Sequence, residues 1–126
     1  MDIKKLVFVA AFSGLTSYAN AEIKIGVVTS SSGPIAMVGI PQKNSIALLP
    51  KTIAGQSVTY YSLDDASDPT AAVKAVNKLI TENKVDAIIG PSGSPNAMAV
   101  IGIAAKAGVP LLAPVGTASV VVPMDA

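Results

Sequence analysis

Residues 85–94, VDAIIGPSGS, and residues 107–117, AGVPLLAPVGT, decide the fold of this chain. Each stretch starts with a short apolar run and continues into a loop of small and polar residues, and an apolar helical segment separates the two. Apolar runs of this length are typical of strands that are buried on both faces of a parallel sheet. Their loops would lie side by side at the carboxyl ends of adjacent strands, where such sheets bind ligands. The stretch therefore predicts half of a small-molecule cleft.

The chain before this stretch repeats the same alternation of strand and helix. Apolar and β-branched runs predict two further strands, Ile23–Val28 and Ser57–Leu63, and the stretch itself predicts the strands Val85–Ile89 and Val109–Ala113. A helix is expected over Pro41–Leu49, with Pro41 in its first turn and Pro50 as its stop. With right-handed crossovers, this order gives an α/β fold with a doubly wound parallel sheet.

Proline and glycine mark the ends of the other two helices. Asp68-Pro69 and Ser94-Pro95 predict helix starts in which the side chain of the first residue caps the free N–H groups. Asn83 is expected to close the first of these helices, and Gly108 to end the second in a left-handed conformation. In the helix that starts at Pro69, apolar residues recur at helical spacing: Val73, Val76, Leu79 and Ile80. This spacing predicts that one stripe of that helix packs on the sheet.

Residues 1–21 have the pattern of a secretory signal peptide. A positive start at Lys4 and Lys5 precedes a short apolar run, and Ala19-Asn20-Ala21 resembles a cleavage site. A membrane anchor and a core strand are the alternatives, but the run is shorter than the roughly 20 apolar residues that span a bilayer. We expect cleavage after Ala21 and export to the periplasm without a lipid anchor, because no cysteine is present for lipid attachment.

The composition excludes several kinds of chemistry. Cleavage would remove two of the nine lysines and one of the eight acidic residues, leaving a formally neutral chain that is poorly suited to nucleic acid. The sequence contains no Cys, His or Arg, so it offers no Ser-His-Asp triad, cysteine nucleophile, ordinary zinc site or disulfide framework. We therefore expect no catalysis, no metal and no cofactor. Any anionic ligand group would depend on lysine, hydroxyl groups, backbone N–H groups or helix N-termini.

Two local motifs have both a chemical and a structural interpretation. Asp64 and Asp65 could form an acidic pair for metal binding or acid–base work, but Asp-rich turns before helices are common for turn chemistry alone. The segment Gly90-Pro91-Ser92-Gly93 lacks the complete spacing of a phosphate-binding loop. We favour the structural interpretation for both.

Three segments carry a resemblance to a known family: Ser32-Gly33-Pro34, Asp64–Pro69 and Pro114–Ala118. There the chain resembles the N-terminal lobe of periplasmic binding proteins of the leucine/isoleucine/valine-binding type, the receptors of branched-chain amino acid ABC transporters. The resemblance covers residues 22–126 in order, and DD-x-x-DP before a helix is its most specific part. It implies a two-lobed receptor that delivers a small solute to membrane permease subunits. The second lobe is absent, so residues 22–126 are expected to be a truncated N-terminal lobe.

The resemblance also implies a ligand site. The family's serine after the third strand and threonine after the fourth match Ser94 and Thr117, which would hold a ligand carboxylate. Gly93, Val115 and Gly116 would offer backbone groups beside them. The aromatic residue that the family often carries after SGP falls near Met37 and Val38 in this sequence.

Other functions fit the same architecture. A sensory or regulatory ligand-binding lobe would use the same cleft to report a solute instead of delivering it. A small α/β enzyme is disfavoured by the missing His, Cys and Arg. The sequence leaves the solute open among branched-chain amino acids, other amino acids, amides and aromatic or aliphatic acids.

Overall fold

A computed structural model describes residues 22–120, and the predicted signal peptide lies outside this range. Within it, the strands of one sheet are β1 (Ile23–Thr29), β2 (Thr52–Ile53), β3 (Gln56–Asp64), β4 (Ala87–Ile89) and β5 (Leu111–Leu112). The sheet order is β2-β3-β1-β4-β5. β3, β1, β4 and β5 are parallel, and the short β2 pairs antiparallel with β3. The predicted parallel sheet is confirmed, with one additional edge strand.

Three α-helices connect the parallel strands: α1 (Ala36–Ser45), α2 (Pro69–Lys78) and α3 (Ser94–Ala107). A 3₁₀ turn, Ile46–Leu48, continues α1, and a π turn, Leu79–Asn83, continues α2. α2 and α3 pack against each other on one face of the sheet. Val28 of β1 belongs to the core on that face, whereas its neighbours Val27 and Thr29 face α1. The sheet is thus doubly wound.

The core lies between the sheet and the helices α2 and α3. Val28, Val76, Leu79, Ile88 and Val100 form its fully buried centre. Gly26 provides the space for one of them, because a Cβ at that position would stand 2.7 Å from Cδ1 of Leu79. The predicted apolar stripe of α2 therefore packs as expected.

Two predicted helix ends are confirmed. Oδ1 of Asp68 accepts a hydrogen bond of 2.7 Å from the N–H of Ala71, and Pro69 is the first residue of α2. Gly108 ends α3 with φ of +68°, the left-handed conformation that glycine adopts without a steric cost.

The prediction for the first helix was wrong. The helix starts at Ala36 instead of Pro41, because the turn that follows Gly33 already donates the N–H of Ala36 to the carbonyl of Gly33 at 3.1 Å. Pro41 lies inside the helix, where its missing N–H removes one hydrogen bond. The helical segment still ends before Pro50, because Leu49 takes the extended conformation that a residue before proline favours.

Other predicted bounds also differ from the structure. Lys84, with φ of +55°, is the left-handed residue that ends the α2 segment, one position after the predicted Asn83. β4 begins at Ala87, because the N–H of Val85 is still bonded to the carbonyl of Leu79. β5 is limited to two residues, and Pro110 before it has no N–H to donate to a strand ladder.

No helix among residues 22–120 is long and apolar enough to cross a membrane.

Candidate functional site

The carboxyl ends of the parallel strands bring four loops to one edge of the sheet. The loops follow β1, β3, β4 and β5, which are adjacent and parallel in the order β3-β1-β4-β5. Ser30, Asp65, Ser94 and Thr117 each lie in one of these loops or at its end. The edge therefore collects Asp65, Ser94 and Thr117, which the sequence pattern singled out, together with Ser30.

The two aspartates after β3 hold backbone in place. Oδ1 of Asp64 accepts the N–H of Ala66 at 2.9 Å and that of Ser32 at 3.3 Å. Oδ1 of Asp65 accepts the N–H of Ser67 at 3.0 Å and the hydroxyl of Ser30 at 2.6 Å. These bonds fasten the loop after β3 to the loop after β1, as the structural interpretation of the Asp pair predicts.

The hydrogen bonds to Asp64 also affect its pKa. Burial acts to raise the pKa of Asp64, but hydrogen bonds from Ser32, Ala66 and Ser31 outweigh burial and hold this pKa below its ordinary value. The loop contacts therefore favour the charged carboxylate.

The start of α3 differs from the prediction. Ser94 is the first helical residue, and the cap position belongs to Gly93, so the prediction that Ser94 caps α3 was wrong. Gly93 has extended backbone angles and is packed so closely against Ile35 that a Cβ would lie 3.0 Å from its Cδ1. Gly93 thus takes the cap position, and Pro95 stands at the second position of the helix.

As a result, no side chain caps α3 among the described residues. The first bond within the helix runs from the N–H of Ala97 to the carbonyl of Gly93 at 2.9 Å. The N–H groups of Ser94 and Asn96 precede that bond, and Pro95 has none. In α2 one equivalent group, the N–H of Ala71, is bonded by Asp68. The N-terminus of α3 therefore has the positive end of its dipole and no side-chain acceptor for its first N–H groups among the described residues.

Asn96 adds a buried polar side chain to the first turn of α3. It is 2% exposed, and its Nδ2 has no hydrogen-bond partner among the described residues. The sequence reasoning missed Asn96, because asparagine after a serine-proline pair reads as an ordinary first-turn residue.

The segment after β5 carries the other predicted ligand residues. Thr117 and Val115 are half-buried and Gly116 is exposed. The hydroxyl of Thr117 donates to Oγ of Ser119 at 3.3 Å, a long and exposed contact. The 3₁₀ turn Ala118–Val120 packs against α3, so this loop lies beside the helix that begins at Ser94.

Val38 lies apart from these loops, on α1. Its side chain is 46% exposed. The next residue, Gly39, is buried against the backbone of Ser30, which brings this turn of α1 to the loop after β1. Val38 is therefore near the edge, but the structure shows no contact between it and Ser94 or Thr117.

A separate crevice of about 220 Å³ lies between α1 and the sheet. Val27, Ile89 and Pro114 line its sheet side, and Gln42 and Leu49 line its α1 side. None of the six predicted ligand residues takes part in its lining. Thr29 and Gly90 line the crevice together with Pro114, which brings it to the same edge of the sheet as the predicted ligand residues.

Sequence reasoning also missed the buried contacts of Ser92. The hydroxyl of Ser92 accepts the N–H of Ser30 at 3.1 Å and donates to Oε1 of Gln42. Ser92 is 8% exposed. No sequence signal separates it from its neighbour Ser94, because both stand in the same small-residue loop.

Among the described residues, no group of three or more Asp and Glu side chains is placed to hold a metal ion.

Comparisons with known proteins identify the family of this α/β lobe. The family model described as "Periplasmic binding protein" matches residues 22–122. The Leu/Ile/Val-binding protein BraC3 of Rhizobium johnstonii is 32% identical over 119 residues, which are 90% of this chain and 31% of that protein. The chain belongs to the periplasmic binding protein family.

Solved structures show the same relationship. A crystal structure of an extracellular ligand-binding receptor from Rhodopseudomonas palustris HaA2 is similar, with a TM-score of 0.82 and 50% identity, over 83% of this chain and 29% of that one. A solute-binding protein of an ABC transporter from Rhodopseudomonas palustris BisB5, in complex with 3,4-dihydroxybenzoic acid, matches with a TM-score of 0.69 and 29% identity. That match covers 73% of this chain and 26% of the receptor. The chain spans about a third of the length of these relatives.

Proposed function

We propose that this chain forms the solute-binding lobe of a periplasmic receptor that serves an ABC importer. Its solute is a branched-chain or other amino acid, or a related small carboxylate. The observation that carries the proposal is the N-terminus of α3, which has no side-chain cap among the described residues and follows β4, one of the four parallel strands that end at the same edge. A chain without arginine has this kind of donor as its best means of binding a carboxylate.

The predicted residues have distinct roles in this proposal. The hydroxyls of Ser94 and Thr117 donate to the ligand carboxylate, and the backbone at Gly93, Val115 and Gly116 adds further contacts. Val38 contacts the apolar part of the solute from the α1 side. The names of the relatives, Leu/Ile/Val-binding protein and solute-binding protein of an ABC transporter, support both the amino acid and the wider carboxylate class.

The mechanism is capture between two lobes. A hinged receptor closes because the ligand bridges both lobes, so each lobe supplies only part of the binding free energy. Residues 22–120 contain one set of strand ends and hence one set of contacts. We therefore expect the 126-residue chain to bind its solute weakly or not at all, and its periplasmic partners to be permease subunits.

Calorimetric titration with L-leucine, L-isoleucine, L-valine and aromatic acids tests the capture mechanism. The expected dissociation constants are well above micromolar, which corresponds to less than about 8 kcal/mol of binding free energy. Sub-micromolar affinity of the 126-residue chain for any of these solutes would overturn the need for a second lobe.

The site itself is tested in a hybrid receptor. Residues 22–120 replace the matching segment of the 50% identical Rhodopseudomonas palustris HaA2 receptor, and the hybrid is screened with the same solutes. Thr117→Val should weaken binding by about 1–3 kcal/mol, the cost of leaving a buried polar partner unpaired. Thr52→Val, on the exposed edge strand β2, is the matched control. Equal affinity of both variants would remove Thr117 from the site.

A further inference from the structure

A continuous set of hydrogen bonds joins three of the edge loops to α1. The hydroxyl of Ser30 donates to Asp65 at 2.6 Å, and the N–H of Ser30 donates to Oγ of Ser92 at 3.1 Å. The hydroxyl of Ser92 donates in turn to Oε1 of Gln42 in the middle of α1. The loops after β1, β3 and β4 are therefore linked through buried side chains rather than through solvent.

Ser92 is the one member of this set that lies in the loop leading into α3. A serine hydroxyl has one proton and can accept through its lone pairs. Gln42 takes the proton, and the N–H of Ser30 uses a lone pair. Removal of this hydroxyl would leave a buried backbone N–H without a partner, which proteins strongly avoid. Gly93 and Ser94 follow Ser92 directly in the chain, at the start of α3.

We infer that Ser92 is a positioning residue of the carboxylate site. It holds Gly93 and Ser94 in place through its hydrogen bonds to Ser30 and Gln42. Because its hydroxyl already accepts one of these bonds and donates the other, Ser92 does not contact the solute. That the positioned residues bind a carboxylate rests on the proposed function. The mechanical part, that Ser92 fixes the start of α3 on the loop after β1, stands without any ligand.

Ser94 provides a matched comparison two residues away. Its side chain makes no capping hydrogen bond to α3, and it is more exposed than Ser92. A general effect of losing a serine hydroxyl would be similar at the two positions. The positioning role predicts that only the Ser92 change reaches Ser30 on the neighbouring loop.

The test is amide hydrogen exchange by NMR on the ¹⁵N-labelled 126-residue chain. In Ser92→Ala, the amide of Ser30 should exchange about tenfold faster, because it loses its only acceptor, and the amide signals of Gly93, Ser94 and Asn96 should shift. In Ser94→Ala, the exchange of the Ser30 amide should stay as in the parent chain. Unchanged exchange at Ser30 in Ser92→Ala, or faster exchange spread evenly through β1 and α2, would overturn the inference.

Gln42 gives a second and milder test, which applies even when Ser92→Ala does not fold. Gln42→Met removes the acceptor of the Ser92 proton, whereas Gln42→Glu keeps an oxygen in the same place. The shifts at Gly93 and Ser94 should appear in Gln42→Met and be largely restored in Gln42→Glu. The same shifts in both variants, or in neither, would contradict the role assigned to Ser92.

The solute part is measured separately. Titration of L-leucine into the labelled Ser92→Ala and Ser94→Ala chains reports whether the start of α3 binds a carboxylate. Absence of any response in the parent chain agrees with the expectation for a single lobe, so the proposed function is decided by the hybrid receptor, which should bind at least one of the solutes. The exchange result at Ser30 decides the positioning role in either case.

Discussion

The packing of α1 can be tested by replacing two helical glycines with alanine and comparing the sign of the change in stability. Gly39 lies inside α1 and Gly102 lies inside α3. On helix propensity alone, replacing either by alanine should stabilise the fold by about 0.8–1 kcal/mol. A Cβ at Gly102 meets no atom within 4 Å, so Gly102→Ala should show that gain.

Gly39→Ala should have the opposite sign. A Cβ at Gly39 would overlap the carbonyl oxygen of Ser30 and lie 2.8 Å from the Ser31 nitrogen. Both atoms are backbone and cannot turn away, so α1 would have to move off the loop after β1. Overpacking of this kind costs about 1–3 kcal/mol, which exceeds the gain in propensity. The net result should be destabilisation by up to about 2 kcal/mol.

Thermal denaturation followed by circular dichroism measures both variants. For a domain of this size, 1 kcal/mol corresponds to a shift in melting temperature of about 4–8 °C. Gly102→Ala should melt above the parent chain and Gly39→Ala below it. Stabilisation of both variants by the same amount would refute the close approach of α1 to Ser30.

Three further predictions follow from contacts elsewhere. Asp68→Ala should lower the free energy of unfolding by about 1 kcal/mol, since it removes the cap of α2, and Asp68→Asn should lose less; urea denaturation checks both. Leu79→Ala should cost about 2–5 kcal/mol by the same measurement, because Leu79 is fully buried in the core, and a cost below 1 kcal/mol would place it elsewhere. The depressed pKa of Asp64 contributes stability that is present above its unfolded value of about 4 and is lost as pH falls through the lower folded value. Asp64→Asn should therefore flatten the pH dependence of stability below about pH 4, and an unchanged acid profile would exclude Asp64 as a contributor.

Periodicity and turn residues predicted the parallel sheet, the start of α2 and the end of α3. Val76 and Leu79 repeat at helical spacing and are buried, and Asp68-Pro69 starts α2 as capping physics requires. These features are local, because the stripe and the cap depend on residues within a few positions of each other. A local pattern can therefore be read from the sequence.

Features that depend on distant residues were not predictable in this way. Gly93 takes the cap position in place of Ser94, and the side chain of Ile35 packs against Gly93. α1 starts before Pro41, and its Gly39 packs against the backbone of Ser30. Ser92 gains its contacts from residues on two other elements. These contacts join separate elements of the fold, which a local sequence pattern does not show.

The positions of the ligand residues remain a prediction of the family resemblance. Ser94 and Thr117 follow the adjacent strands β4 and β5, and the turn after Thr117 packs on α3. The strands that end at these loops were predicted from their apolar runs. The roles of the two hydroxyls need a bound solute to be tested.

The most direct test of carboxylate binding at the start of α3 is an NMR titration of the ¹⁵N-labelled 126-residue chain with L-leucine at high concentration. The carboxylate should bind at the start of α3 and at the loop after β5. We therefore expect changes in the amide chemical shifts of Gly93, Ser94, Asn96, Gly116 and Thr117. Isoamylamine, which has a similar carbon chain but no carboxylate, should leave them unchanged. Shifts that isoamylamine also produces, or leucine shifts that fall on residues of the crevice between α1 and the sheet, would contradict carboxylate binding at the start of α3.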